Sequence, residues 1–279
     1  MATPPEPQNP TGAGPDGGAI VGVALVTGAA RGIGAATVRR LLSQGWGVVA
    51  TDICGNIDGL GYPMGTLKEL RAVVDGSGGR GVAVVADVRD RRALDAAVEI
   101  ALDRFGRLDA AIACAGVMLG ATHGWEMTPR AFDLCVDINL GGVQRCASAA
   151  LPAIIESATP GAGRFVAVAS AAASSGRPQI AAYSAAKAGV IGLVRSLAAE
   201  LALLGVTANC VSPGSTDTTI LAASAALYGL ADPAEFVAHQ PVGRLLDPDE
   251  VAAGIAWLCS PQRGGVTGIV LPIDGGMSL

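Results

Sequence analysis

Residues 23–44 read VALVTGAARGIGAATVRRLLSQ, and this stretch decides the fold. Val23–Val26 is a continuous apolar run, the pattern of a strand covered on both faces. Thr27-Gly28-Ala29-Ala30-Arg31-Gly32-Ile33-Gly34 follows, and AATVRRLLSQ then carries helical periodicity. Glycines let such a turn bend and let backbone N–H groups approach a diphosphate, while the helix N-terminus adds positive potential. Three glycines also suit an ordinary turn in a chain that holds 39 of them. Set between a first strand and a first helix, they signal a dinucleotide site.

Outward from this turn the alternation continues. Val21–Thr27, Val48–Thr51, Val82–Ala86, Ala110–Cys114, Phe165–Ala169, Val206–Val211 and Ile269–Ile273 read as strands. Helices are expected to begin near Ile33, Thr66, Arg91, Pro129, Asp137, Ala181 and Pro248. Thr128-Pro129 and Asp247-Pro248-Asp249-Glu250 each set a capping residue before Pro, the second with Glu at the capping-box position. The pattern predicts an α/β fold: one doubly wound, seven-stranded parallel sheet flanked by helices, occupying residues 20–279. Residues 1–19, with five prolines, four glycines and two charges, read as a disordered tail.

Composition narrows the function. Hydrophobic residues are 51% of the 279, ample for a core, and a net charge of −5 argues against a nucleic-acid partner. The best membrane candidate, Ala181–Leu204, is broken by Lys187, Arg195 and Glu200, so no membrane span is expected. No signal peptide is apparent. Cys54, Cys114, Cys135, Cys146, Cys210 and Cys259 form no C-x-x-C and read as reduced thiols of a cytoplasmic protein. His123 and His239 are far apart, which predicts no metal site.

Asp52 ends the second strand, eighteen residues after Gly34. A carboxylate there accepts hydrogen bonds from ribose hydroxyls and repels a 2′-phosphate, which favours NAD over NADP. Arg31, inside the glycine turn, is the counter-signal. Asp87-Val88 ends the third strand and can hold an adenine edge; Ala115-Gly116 ends the fourth, where backbone can lie along a cofactor. Gly28, Asp52, Asp87, Gly116, Ser170 and Pro213-Gly214 all fall at the carboxyl edge, where such sheets bind ligands.

The chemistry lies in Ser170–Lys187, SAAASSGRPQIAAYSAAK. Tyr183 and Lys187, four apart, share a helix face, and Ser170 follows the strand run Arg164–Ala169. A phenol titrates near ~10, and an ammonium one turn away is expected to lower that value. Such a set suits moving a proton on or off an alcohol. The walls expected around it are Val117–Met127, Ala171–Ile180 and Ser215–Gln240. Leu221, Leu227, Tyr228, Leu230 and Phe236 would form an apolar cover with Trp125 opposite. With no cluster of Arg or Lys there, the expected substrate is a neutral, mainly apolar secondary alcohol or its ketone. His123 and His239 suit either substrate contact or packing.

TGAARGIG, the strand-end Asp52, DV, AG, DINLGG, the serine, YSAAK, PGSTDT and IDGG together resemble the short-chain dehydrogenase/reductase family from about Val21 to Leu279. The resemblance implies a Rossmann-like domain and an NAD-linked oxidoreductase acting on a CH–OH group. It makes Tyr183 the general acid/base, Lys187 its partner and a holder of the nicotinamide ribose, and Ser170 the group that positions the substrate oxygen. Asn139 would prop a water behind Lys187. Thr218 would cap the nicotinamide end, with Gly32, Ile33, Ile53 and Thr216 also beside the cofactor. One departure is Ala113-Cys114, where the family carries Asn before Ala-Gly; Cys114 reads as a structural thiol rather than a redox one.

The inserted segment Ile53–Thr66, ICGNIDGLGYPMGT, with TDIC, FVAVASAAAS, VSPGSTDT, LYGL and HQPVGRLL, is similar to the mycofactocin-coupled subgroup. That likeness implies NAD held through turnover and reoxidised by the peptide-derived carrier mycofactocin. Small residues at Gly141, Gly142, Ala147 and Ala149, and at Ala185, Ala188, Gly189 and Gly192, permit close helix packing. In the family those helices build a homotetramer, or failing that a dimer. Two rivals stay open: an NADPH-dependent 3-oxoacyl-carrier-protein reductase, and a non-catalytic NAD-sensing or scaffold protein.

Overall fold

Strand β1 (Val23–Thr27) is buried along its whole length, as its unbroken apolar run requires. The computed structural model describes residues 20–279 except 121 and 122; the tail read at 1–19 lies outside the described residues. Around β1 stand β2 (Gly47–Asp52), β3 (Gly81–Val85), β4 (Ala110–Ala113), β5 (Gly163–Val168), β6 (Val206–Pro213) and β7 (Val270–Ile273). They form one seven-stranded sheet in the order β3-β2-β1-β4-β5-β6-β7. Every pairing is parallel. The order reverses between β1 and β4, which opens the crevice beyond their carboxyl ends.

Helices α1 (Gly32–Ser43), α2 (Leu67–Val74), α3 (Arg91–Phe105), α4 (Pro129–Val136), α5 (Gly142–Ser157), α6 (Ala181–Leu201), α7 (Thr219–Leu227) and α8 (Pro248–Cys259) cover the sheet. Two apolar clusters fill its two faces, one under α3, α5 and α6, the other under α1 and α8. At the amino edge, buried Arg164 donates to the carbonyls of Ser260, Gly161, Gly163 and Pro261, so its charge is held by backbone dipoles.

Two features differ from the sequence reading. Asp137 does not begin a separate helix: Asp137–Gly141 is a wide π turn that joins α4 to α5 without a break. Such turns often mark functional positions, and this one carries Asn139. The stretch 215–240 is not simply a long cover; it contains α7, capped by Thr218, whose hydroxyl accepts from the Leu221 N–H. Among the described residues no helix is long and apolar enough to cross a membrane.

Candidate active site

The glycine turn is closed by sterics. Gly28 has φ +66° and Gly32 φ +53°, both in the left-handed region. A Cβ on Gly28 would stand 2.6 Å from the Ala115 Cα, so β1 and β4 approach each other here as bare backbone. Side chains cap α2, α3, α4, α7 and α8 through Thr66, Asp90, Thr128, Thr218 and Asp247. At α1 the capping position is Arg31, and no side chain caps it. The first-turn N–H groups of α1 are thereby left for an anion, the arrangement a diphosphate requires.

One cavity of about 540 Å³ runs from this turn to the end of β5. It is lined by Gly28, Arg31, Gly32, Ile33, Gly34, Asp52, Ile53, Asp87, Val88, Ala115 and Gly116 at one end. Asn139, Ser170, Tyr183, Lys187, Pro213, Gly214, Thr216 and Thr218 line the remainder. Asp52 accepts from Ala30 N–H (3.1 Å) and Cys54 N–H (3.2 Å), which seats its carboxylate between glycine turn and inserted segment. Arg31 is directed elsewhere: its guanidinium donates to the Pro63 carbonyl (2.9 Å) and lies 4.0 Å from Glu69. Asp87 is bound by Arg89 at 2.6 Å. Burial raises its pKa, but Arg89, with Arg145 behind it, outweighs this and holds the carboxyl below the usual range.

Tyr183 projects from the first turn of α6 and Lys187 from the next, its Nζ 5.7 Å from the phenol ring centre. Ser170 leaves the end of β5, and its hydroxyl accepts from Ala172 N–H. The Lys187 Nζ donates to the Val168 carbonyl at 2.8 Å. The expectation that Lys187 lowers the Tyr183 pKa is corrected. Burial dominates and pushes the phenol up to about 12, opposed by the Ser170 hydroxyl. Burial likewise brings Lys187 down to about 8. Burial takes water from both side chains, which disfavours their charged forms.

Asn139 is wholly buried, donating to the Val117 and Cys135 carbonyls and accepting from Val117 N–H. A Cβ on Gly116 would meet Asn139 Oδ1 at 2.8 Å and Lys187 Nζ at 3.4 Å, so glycine is needed where β4 ends. Cys114 is half-buried and lines the cavity, and burial pushes its thiol up to about 12.

The inserted segment does more than its sequence suggested. Beyond Asp52 it reaches the exit of β4, where the Tyr62 hydroxyl accepts from Met118 N–H at 2.9 Å. Asp58 pairs with Arg130 at 2.5 Å, and Ile57 sinks into the core. Tyr62, Met64 and Ile57 therefore join the cavity wall. Their side chains lie far in sequence from what they touch, so only the Tyr within a Gly/Pro loop hinted at this. Trp125 is not a cover: it is 82% exposed and stacks on His123 at 4.4 Å. Leu227 lies against Gly120, whereas Leu221, Tyr228, Leu230, Phe236 and His239 line the cavity. Arg177 joins them, a single cation where no cluster was expected.

A family model described as Enoyl-(Acyl carrier protein) reductase matches residues 28–278. An uncharacterized oxidoreductase of Mycobacterium tuberculosis is 37% identical over 91% of this chain and 95% of its own length. A (-)-trans-carveol dehydrogenase of Rhodococcus erythropolis is 34% identical over 92% and 97%. The crystal structure of carveol dehydrogenase from Mycobacterium avium in complex with NAD superposes with a TM-score of 0.87 at 31% identity, covering 92% of this chain and 98% of that one. With its parallel sheet, open glycine turn and Ser-Tyr-Lys cavity, the chain belongs to the short-chain dehydrogenase/reductase family.

Proposed function

We propose that this chain interconverts a mainly apolar secondary alcohol and its ketone, with an NAD that stays bound through turnover and is recycled by mycofactocin. The protein is an NAD(H)-dependent oxidoreductase acting on a CH–OH group. The observation that carries the reading is the single cavity joining the uncapped start of α1 to Ser170, Tyr183 and Lys187.

Gly28, Gly32, Ile33 and Gly34 would hold the diphosphate. Asp52 would take the adenine ribose, with Ile53, Asp87 and Val88 near the base. Ala115, Gly116, Pro213, Gly214, Thr216 and Thr218 would line the nicotinamide half, and Lys187 its ribose. Bound NAD⁺ supplies the hydride acceptor. Ser170 then holds the substrate oxygen, Tyr183 removes its hydroxyl proton, and Lys187 and Asn139 lead that proton away. Asp52 at the ribose position and Arg31 tied to Pro63 both speak against a 2′-phosphate, hence against the NADPH-dependent carrier-protein reductase. A scaffold protein would not need the three reactive side chains around one cavity.

A base must first lose its proton, and burial, which pushes the Tyr183 phenol up to about 12, keeps it protonated near neutrality. Alcohol oxidation should therefore rise with pH between about 6 and 9, while ketone reduction should not rise. An oxidation rate that stays flat across that range would argue against Tyr183 as the base.

The inserted segment supports retention, because Tyr62–Met118 and Arg31–Pro63 fasten it at two separate points of the cavity wall. The purified protein should release NAD on denaturation but not on dialysis, and turn over with an artificial electron acceptor rather than with added NAD. Rapid turnover on free NAD alone would remove the retention reading and leave the dehydrogenase reading in place.

We also propose a homotetramer. Gly142, Ala147 and Ala149 are buried within the protomer, and Gly189 packs on Leu140. The face left for a second copy is on α6, where Ala185 and Ala188 are exposed and nothing stands within 4 Å of Gly192.

A further inference from the structure

Among the described residues that line the cavity, the carboxylates are Asp52 and Asp87, both at the nucleotide end. Of the cations, Arg31 is tied to Pro63 and Lys187 to Val168. Arg177 is left at the opposite end, among Pro178, Tyr228, Phe236 and His239. It enters no ion pair among the described residues.

Its seat is well defined. The Tyr228 hydroxyl donates to the carbonyl of the neighbouring Pro178 at 2.6 Å, pinning α7 to the loop that bears Arg177. Gln179, next along, holds a left-handed φ of +64°, so the turn into α6 is sharp and specific. Phe236 packs edge-on against Tyr228 at 5.9 Å and brings His239 alongside. Arg177 is half-buried as a residue, and the chain, with a net charge of −5, sets neither of the cavity's carboxylates beside it. The planar guanidinium fork matches a carboxylate through two parallel hydrogen bonds.

We propose that Arg177 binds a carboxylate at the end of the substrate remote from its reacting oxygen. The preferred substrates are then hydroxy or keto acids with an apolar body, which replaces the expectation of a wholly neutral molecule. This rests on the dehydrogenase reading and adds the charge of the substrate to it. Leu221, Leu230 and Phe236 hold the body, Ser170 and Tyr183 the oxygen, and Arg177 the far terminus.

The test uses the full chain with its NAD and two matched ketone pairs, para-acetylbenzoate and levulinate, each against its methyl ester. Binding is read by the shift in Tm, and reduction by the single-turnover oxidation of NADH loaded on the chain before the ketone is added. One charge-assisted contact predicts carboxylate affinities about tenfold or more above those of the esters. The advantage should shrink with added salt. Arg177→Met should collapse the acid-to-ester ratio toward one, and Arg177→Lys should restore part of it.

Esters binding as well as the acids, no binding by either acid, or an Arg177→Met variant that lowers acid and ester equally would each overturn the proposal. If esters are reduced in a Tyr183-dependent manner without acid preference, only this inference fails. If the acids bind selectively but no ketone is reduced, the dehydrogenase reading fails and the Arg177 site stands.

Discussion

Replacing Tyr183 by Phe is expected to lower turnover on the order of 10²- to 10⁴-fold, the range that a positioned acid/base contributes. The substitution removes one oxygen and keeps the ring, so the packing of α6 over Ser170 survives. Circular dichroism and Tm should match the parent chain, and NAD should still be found after denaturation. The loss should fall on kcat, because the phenol acts on a proton that moves only in the transition state. Substantial remaining activity would mean that another group takes the proton, and the Ser-Tyr-Lys assignment would be wrong.

Gly34→Ala acts through backbone rather than chemistry. A Cβ there would fall within the van der Waals radius of the Gly28 carbonyl oxygen, 2.8 Å from the Gly28 carbonyl carbon and 3.1 Å from the Ala29 Cα. All three atoms belong to the same turn, so no flexible side chain can move aside. The turn must open, which displaces the N–H groups at the start of α1 from an incoming diphosphate. Loss of even two charge-assisted hydrogen bonds lowers NAD affinity by about a hundredfold or more. Strain at such a position also costs about 1–3 kcal/mol of stability. The NAD released on denaturing the dialysed variant, against the parent chain, and a thermal melt check both parts. NAD retained at the parental level would show that the turn does not approach the cofactor.

The pH profile and the retention test probe different layers of the same site. The first depends on how strongly burial suppresses the charged forms of Tyr183 and Lys187. The second depends on a segment that is not part of the reacting group at all.

The sequence by itself determined the α/β class, the seven parallel strands and the carboxyl edge where Gly28, Asp52, Ser170 and Tyr183 gather. Those are short-range matters: an apolar run of strand length, a glycine where φ is positive, a capping residue before Pro. They are written within a few residues of where they act. The fused course of α4 and α5 was not legible, because a π turn such as Asp137–Gly141 leaves the apolar pattern nearly unchanged. Nor was the sign of the Tyr183 shift, since spacing reports the nearness of Lys187 but not how much water both groups lose on burial. Tyr62 against Met118, Arg31 against Pro63, Trp125 turned out to solvent and Arg177 turned into the wall were decided by the tertiary structure alone. A loop residue's direction is set by what packs against it from elsewhere in the chain, and no local pattern encodes that.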